Sequence, residues 1–170
     1  PIPLVGTTGS VGKTTTKDMV AAVLGTKYKV LKTEGNFNNR VGLPLTLLRL
    51  DHTHQICALE MGMSQAGEIG YLSEIARPDV AVITNIGDAH IENLGSRENI
   101  LKAKCEIFTH LASGGLALLN GDDPLLAGLK GTLPVQALFY GHGEGADYRA
   151  LREESDGVGH IACTIQTPAG

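Results

Sequence analysis

Along most of the chain, short apolar runs alternate with stretches whose apolar residues recur at helical spacing. Ile2 to Val5 is the first such run. A glycine-rich turn breaks it, and Lys13 to Leu24 follows with Met19, Val20, Val23 and Leu24 spaced for a helix. The alternation returns in Gln55 to Leu59 before Ala66 to Ala76, and in Asp79 to Ile86 before Glu98 to Leu111. Buried parallel strands joined by crossover helices fit this rhythm, because strands covered on both faces read as continuous apolar runs. Leu116 to Leu119 predicts another buried strand, Asp123 to Leu129 a short helix opened by Pro124, and Val135 to Tyr140 one more strand. After Gly141-His142-Gly143-Glu144-Gly145 the pattern changes to polar–apolar alternation over Tyr148 to Arg152 and His160 to Gln166, which suits an antiparallel extension. The expected fold is α/β, a mainly parallel sheet flanked by helices with a short antiparallel extension near the C-terminus.

A chain of 170 residues that is 42% hydrophobic supports one globular core rather than two, and no internal repeat or low-complexity segment divides it. The net charge of −4, with Lys and Arg scattered, removes the case for nucleic-acid binding by bulk attraction. An anionic ligand must then meet a local positive site. Cys57, Cys105 and Cys163 are odd in number and match no zinc spacing, so they read as buried thiols in a reducing cytosol. No apolar run approaches the roughly 18 residues of a membrane span, and no basic segment precedes a cleavable apolar stretch, so a cytoplasmic protein without a membrane partner is expected. Thr167-Pro168-Ala169-Gly170 is turn chemistry rather than a domain end, the mark of a piece of a longer chain.

The strongest chemical signal is Gly6-Thr7-Thr8-Gly9-Ser10-Val11-Gly12-Lys13-Thr14, placed between a strand and a helix. Backbone N–H groups and the helix dipole favour a polyphosphate there, with Lys13 reaching the terminal phosphates and Thr14 a magnesium ion. The strict G-x-x-x-x-G-K-[ST] pattern is not met, since Thr7 takes the first glycine position; the short form T-G-x-x-G-K-T stands instead. The candidate nucleotide-binding set is Gly9, Ser10, Val11, Gly12, Lys13, Thr14 and Thr15. Asn36 joins it from the amide-rich segment Thr33-Glu34-Gly35-Asn36-Phe37-Asn38-Asn39, whose neutral donors suit phosphate oxygens or, equally, an ordinary Asx-rich turn.

Glu60 ends an apolar strand in Leu59-Glu60-Met61-Gly62-Met63-Ser64. It is read either as a magnesium ligand at the carboxyl edge of the sheet or as an edge acid facing solvent. Thr84-Asn85-Ile86-Gly87-Asp88-Ala89-His90 brings a polar cluster to the same edge, where His90 is a candidate for a second cation or a surface histidine. Lys102 and Lys104 lie two residues apart on one helix and point about 200° apart, so only one of them faces the site.

Together these segments, with Gly42-Leu43-Pro44, resemble the central domain of Mur ligases in order and spacing from about Pro3 to about Asp123. The long asparagine segment and Glu60-Met61-Gly62-Met63 resemble most closely the members that add D-alanyl-D-alanine to UDP-N-acetylmuramoyl-tripeptide in peptidoglycan precursor synthesis. The resemblance implies a P-loop nucleotide-binding fold with ATP on the loop, Lys13 stabilising transferred charge, and Mg2+ held by Thr14 and Glu60. It implies a second Mg2+ at His90, and it places Lys104 where many members carry a carbamylated lysine that can join the metal. The reaction implied is an ATP-dependent amide ligation through an acyl phosphate, with Lys13, His90 and Lys104 as catalytic groups in a monomeric enzyme. Residues 1–170 then form the ATP-binding central domain, incomplete at its C-terminal end, with the N-terminal UDP-substrate domain and the C-terminal domain absent. Rival readings are another Mur ligase, folylpolyglutamate synthase, or a non-catalytic nucleotide-binding module. A P-loop GTPase is disfavoured, since no Asn-Lys-x-Asp guanine-reading sequence follows.

Overall fold

The computed structural model describes residues 2–155, 157–158 and 161–169. In chain order the elements are β1 (Leu4–Thr8), α1 (Lys13–Gly25), β2 (Val30–Lys32), α2 (Gly42–Leu47), β3 (Ile56–Glu60), α3 (Glu68–Ala76), β4 (Val80–Ile83), α4 (Ile91–Leu94), α5 (Arg97–Cys105), a 3-10 turn (Glu106–Phe108), β5 (Leu116–Asn120), α6 (Pro124–Ala127), β6 (Gln136–Gly141), β7 (Tyr148–Ser155) and β8 (Ile161–Gln166). His160, the expected start of the last strand, and Gly170, in the expected terminal turn, lie outside the described residues.

The strands form one sheet in the order β2-β3-β1-β4-β5-β6-β7-β8. The chain therefore enters the sheet near its middle, builds β2 and β3 on one side of β1, and crosses to β4, β5 and β6 on the other. At such a reversal, loops leaving neighbouring strands diverge and open a crevice at their carboxyl ends. The loops after β1, β3 and β4 meet there, and they carry the three strongest motifs. All five residues of β1 are buried, as expected of a central strand covered on both faces. The core beneath includes Leu4, Leu59, Met61, Ile69, Ile83, Ile100 and Leu119.

Four features depart from the sequence reading. β1 begins at Leu4 and runs to Thr8, into the glycine-rich motif, rather than ending at Val5. In α1, Met19 and Val23 are exposed and the buried residues are Lys17 and Ala21. Lys17 lies inward because its ammonium finds acceptors at the Thr33 carbonyl (2.8 Å) and Asp18 (2.8 Å), so its aliphatic stem packs while its charge is paired. The extension near the C-terminus is antiparallel only between β7 and β8, because β7 joins β6 in parallel through Tyr140↔Tyr148 and Gly141↔Arg149. Cys57 is buried, but Cys105 is half-buried and Cys163 exposed, so the three thiols do not share one environment. Among the described residues, no helix is long and apolar enough to cross a membrane.

Candidate active site

The turn after β1 is shaped by two glycines. Gly9 has φ +151°, and a Cβ there would lie 1.8 Å from the Thr84 hydroxyl, so the loop can press against the end of β4 only with hydrogen at that position. Gly12, at φ +78°, makes the left-handed step into α1. The first half of the loop is fastened to the segment after β4. Ser10 N–H donates to the Asn85 carbonyl (3.0 Å), and Val11 N–H donates to Asn85 Oδ1 (3.0 Å). The Ser10 hydroxyl bridges to the Gly87 backbone, accepting from its N–H at 2.8 Å. The second half is different: the N–H groups of Gly12, Lys13, Thr14 and Thr15 meet no acceptor within hydrogen-bond reach among the described residues. These are the orphan donors of a helix start, aimed outward.

Lys13 curls back over this turn, its ammonium donating to the carbonyls of Gly9 (3.0 Å) and Ser10 (3.2 Å). Thr14 turns toward β3, and its hydroxyl donates to Glu60 Oε2 at 2.7 Å. Glu60 is 2% exposed, which excludes the solvent-facing alternative; its other oxygen accepts from Asn38 Nδ2 at 2.8 Å. Asn38 is itself folded onto the end of β3 by Gly62 N–H, which donates to its carbonyl at 2.7 Å. Asn36 is exposed and makes no contact with Glu60; within the amide-rich segment it is Asn38 that reaches this carboxylate.

A cavity of about 280 Å³ opens beside the loop, lined by Gly9, Lys13, Asn38, Asn39, Arg40, Gly62, Met63, Ser64, Glu68, Leu72, His90 and Lys104. His90 stands on its rim, exposed, in a left-handed conformation (φ 69°) just before α4. Asp88 points largely to solvent, 3.8 Å from Arg97, whose guanidinium also donates to the Ile86 carbonyl and braces this loop. On α5, Lys102 is exposed while Lys104 is buried and lines the cavity. Lys104 has no hydrogen-bond or ion-pair partner among the described residues, and burial first, with the Lys13 ammonium second, pushes its ammonium down to about 7. This shift favours the neutral amine, which is nucleophilic.

Three residues that the sequence did not single out complete the arrangement. Asn85 pairs with Val11. Glu106 accepts from the N–H groups of Gly67 (2.8 Å) and Gly70 (3.0 Å), supplying to α3 the cap its own glycine lacks. Arg40 covers the outer wall, its guanidinium 5.4 Å from the Tyr71 ring centre and 3.8 Å from Glu68. Asn85 lies within a quoted motif and Glu106 within the predicted helical stretch Glu98 to Leu111, but only their distant partners reveal their roles. Arg40 carries no signal of its own.

No three His, Cys, Asp or Glu side chains converge to cage a metal among the described residues. The oxygens of Thr14 and Glu60 nonetheless suit magnesium, which keeps several waters and phosphate oxygens and needs only one or two protein ligands. A buried carboxylate held by two neutral donors is a site whose charge a cation would balance.

The family model for the Mur ligase middle domain matches residues 7–168. The UDP-N-acetylmuramoyl-tripeptide--D-alanyl-D-alanine ligase of Bacillus subtilis is 53% identical over 146 residues, covering 86% of this chain and 31% of the relative. The crystal structure of MurF from Acinetobacter baumannii superposes with a TM-score of 0.91 at 37% identity, covering 99% of this chain and 37% of that one. MurF from Thermotoga maritima, solved in complex with ADP, superposes at 0.86 with 39% identity, covering 98% of this chain and 38% of that one. The chain thus spans about a third of the length of these relatives. With the family model matched almost end to end and the loop, Glu60 and His90 segments meeting at one crevice, the chain belongs to the Mur ligase middle-domain family.

Proposed function

We propose that the chain is the ATP-binding core of a ligase that adds D-alanyl-D-alanine to UDP-N-acetylmuramoyl-tripeptide, a cytoplasmic, monomeric enzyme without nucleic-acid or membrane partners. The observation that carries this reading is the run of four free N–H groups, Gly12 to Thr15, opening a helix of 13 residues beside Lys13, Lys104 and the Thr14–Glu60 pair. Donors and cations of this kind at one helix start match a polyphosphate and the charge that builds on a transferring phosphoryl group. The names and identities of the relatives support these substrates, and the cavity beside the loop is the space proposed for them.

In the proposed reaction the γ-phosphoryl group of ATP passes to the terminal carboxylate of the peptide, and the amine of D-alanyl-D-alanine displaces phosphate from the acyl phosphate. The protein's part is positioning and charge stabilisation. The Gly12–Thr15 amides hold the phosphates. Lys13 leaves the Gly9 and Ser10 carbonyls to follow the transferred charge. Thr14 and Glu60 would hold a magnesium ion, which when bound neutralises phosphate oxygens as a Lewis acid. His90 and Lys104, the latter as ammonium or as carbamate, line the same cavity and would serve a second cation or the acceptor carboxylate.

The test is ATP-dependent ligation by the full-length protein with defined amino-acid and dipeptide acceptors. D-alanyl-D-alanine should be the preferred acceptor, and Lys13→Ala should abolish turnover. Preference for a single amino acid would move the chain to another branch of the family, and wild-type turnover in Lys13→Ala would overturn the phosphate site.

A further inference from the structure

Besides the Lys13 ammonium on the Gly9 and Ser10 carbonyls, the apex of the phosphate loop is held by hydrogen bonds from the segment after β4. Val11 is exposed. Its peptide is gripped by the Asn85 side-chain amide at both ends, Oδ1 accepting from Val11 N–H at 3.0 Å and Nδ2 donating to the Val11 carbonyl at 3.2 Å. The Thr84 hydroxyl donates to the same carbonyl at 2.6 Å, and the Asn85 backbone carbonyl takes the Ser10 N–H at 3.0 Å. Behind them, Asn120 Nδ2 donates to the Thr84 carbonyl at 3.0 Å and ties the clasp to the end of β5.

Only a primary amide offers a donor and an acceptor side by side at this reach. Aspartate would keep the acceptor for Val11 N–H but set a carboxylate oxygen against the Val11 carbonyl. Because the clasp consumes the N–H groups of Ser10 and Val11, it leaves those of Gly12 to Thr15 for a ligand and fixes their direction. Binding to a loop already in its bound shape avoids the cost of ordering it.

We infer that Asn85 is a positioning residue for the nucleotide: its amide holds the phosphate loop in its receptive shape and thereby sets the affinity for the phosphates, without touching them. The inference rests on the proposed ATP site and deepens it.

The experiment is steady-state ligation and ADP calorimetry on the full-length ligase, comparing wild type with Asn85→Asp and Asn85→Ala. Two hydrogen bonds of ordinary net strength correspond to a loss of about tenfold or more in affinity. Both variants should weaken ADP binding and raise KM for ATP by that factor, while KM for the dipeptide and the unfolding temperature stay near wild type. Unchanged ADP affinity in both variants, with an active wild type, would overturn the inference. So would a parallel loss of ADP affinity, dipeptide KM and unfolding temperature, which marks general damage. A wild type that folds but neither binds ADP nor ligates would instead overturn the ATP-site reading itself.

Discussion

Replacing Lys104 by methionine, which is unbranched, of similar length and uncharged, should make the protein more stable at neutral pH and inactive as a ligase. The Lys104 ammonium is held down at about 7, against its ordinary 10.5, by burial and secondarily by Lys13. Between those two pH values the folded state binds fewer protons than the unfolded chain, so stability rises with pH across the window. Below about pH 7 the folded state carries the whole cost, about 5 kcal/mol at about 1.36 kcal/mol per pH unit, an upper bound because water reaching the amine relieves it. At pH 9 about 2 kcal/mol of that cost remains. Urea unfolding of both proteins at intervals from pH 6 to 10 reads the difference directly. Lys104→Met should exceed the parent most at pH 6 to 7, with the gap closing toward pH 10. A gap that stays constant with pH, or a variant less stable than its parent at pH 7, would refute the argument that an unpaired, desolvated charge sits on this wall. Ligation by the full-length variant should fall even as stability rises, the usual trade at a site built for chemistry.

Gly9→Ala should cost about 1–3 kcal/mol from the backbone conformation alone, plus the clash of its Cβ 1.8 Å from the Thr84 hydroxyl. A lowered melting temperature together with loss of ADP binding is the expected result, and a variant matching its parent in both would show that the loop does not need this approach. His142 lies between Asp122 (2.7 Å) and Glu153 (2.8 Å), and Glu153 first, then Asp122, raises its pKa above the usual 6.5. A raised histidine pKa contributes stability fully below 6.5 and loses it as pH rises through the folded value. Amides of β7 should therefore exchange faster, after correction for intrinsic rates, at pH 9 than at pH 6. His142→Gln should remove that difference; equal protection at the two pH values in the parent would count against the bridge.

Much of this molecule is readable before any coordinates exist. The alternation of apolar runs and helical spacing determines a parallel α/β sheet because the period of a side-chain pattern is a local property of each element. The loop from Gly9 to Thr14 is legible for the same reason: its glycines, lysine and threonine are neighbours in the chain, and the strand and helix around them set their direction. Glu60 and His90 could be assigned to one edge because each ends or follows a strand, and strand ends in a parallel sheet share a side. Helix geometry alone allowed only one of Lys102 and Lys104 to face the site, and the family resemblance named Lys104.

The remainder was decided by partners far apart in the chain. Asn38 meets Glu60, 22 residues away, and Asn85 meets Val11 across 74 residues. Lys17 rather than Met19 turns inward because Thr33 offers a carbonyl where α1 crosses the end of β2. The ammonium of Lys104 is depressed by a burial that no helical wheel records. β7 runs parallel to β6 although its alternation reads equally well as the start of a hairpin. In each case the chain's local pattern allows several outcomes of similar energy, and the choice among them is made by which donor, acceptor or apolar wall the packed sheet brings within a few ångströms.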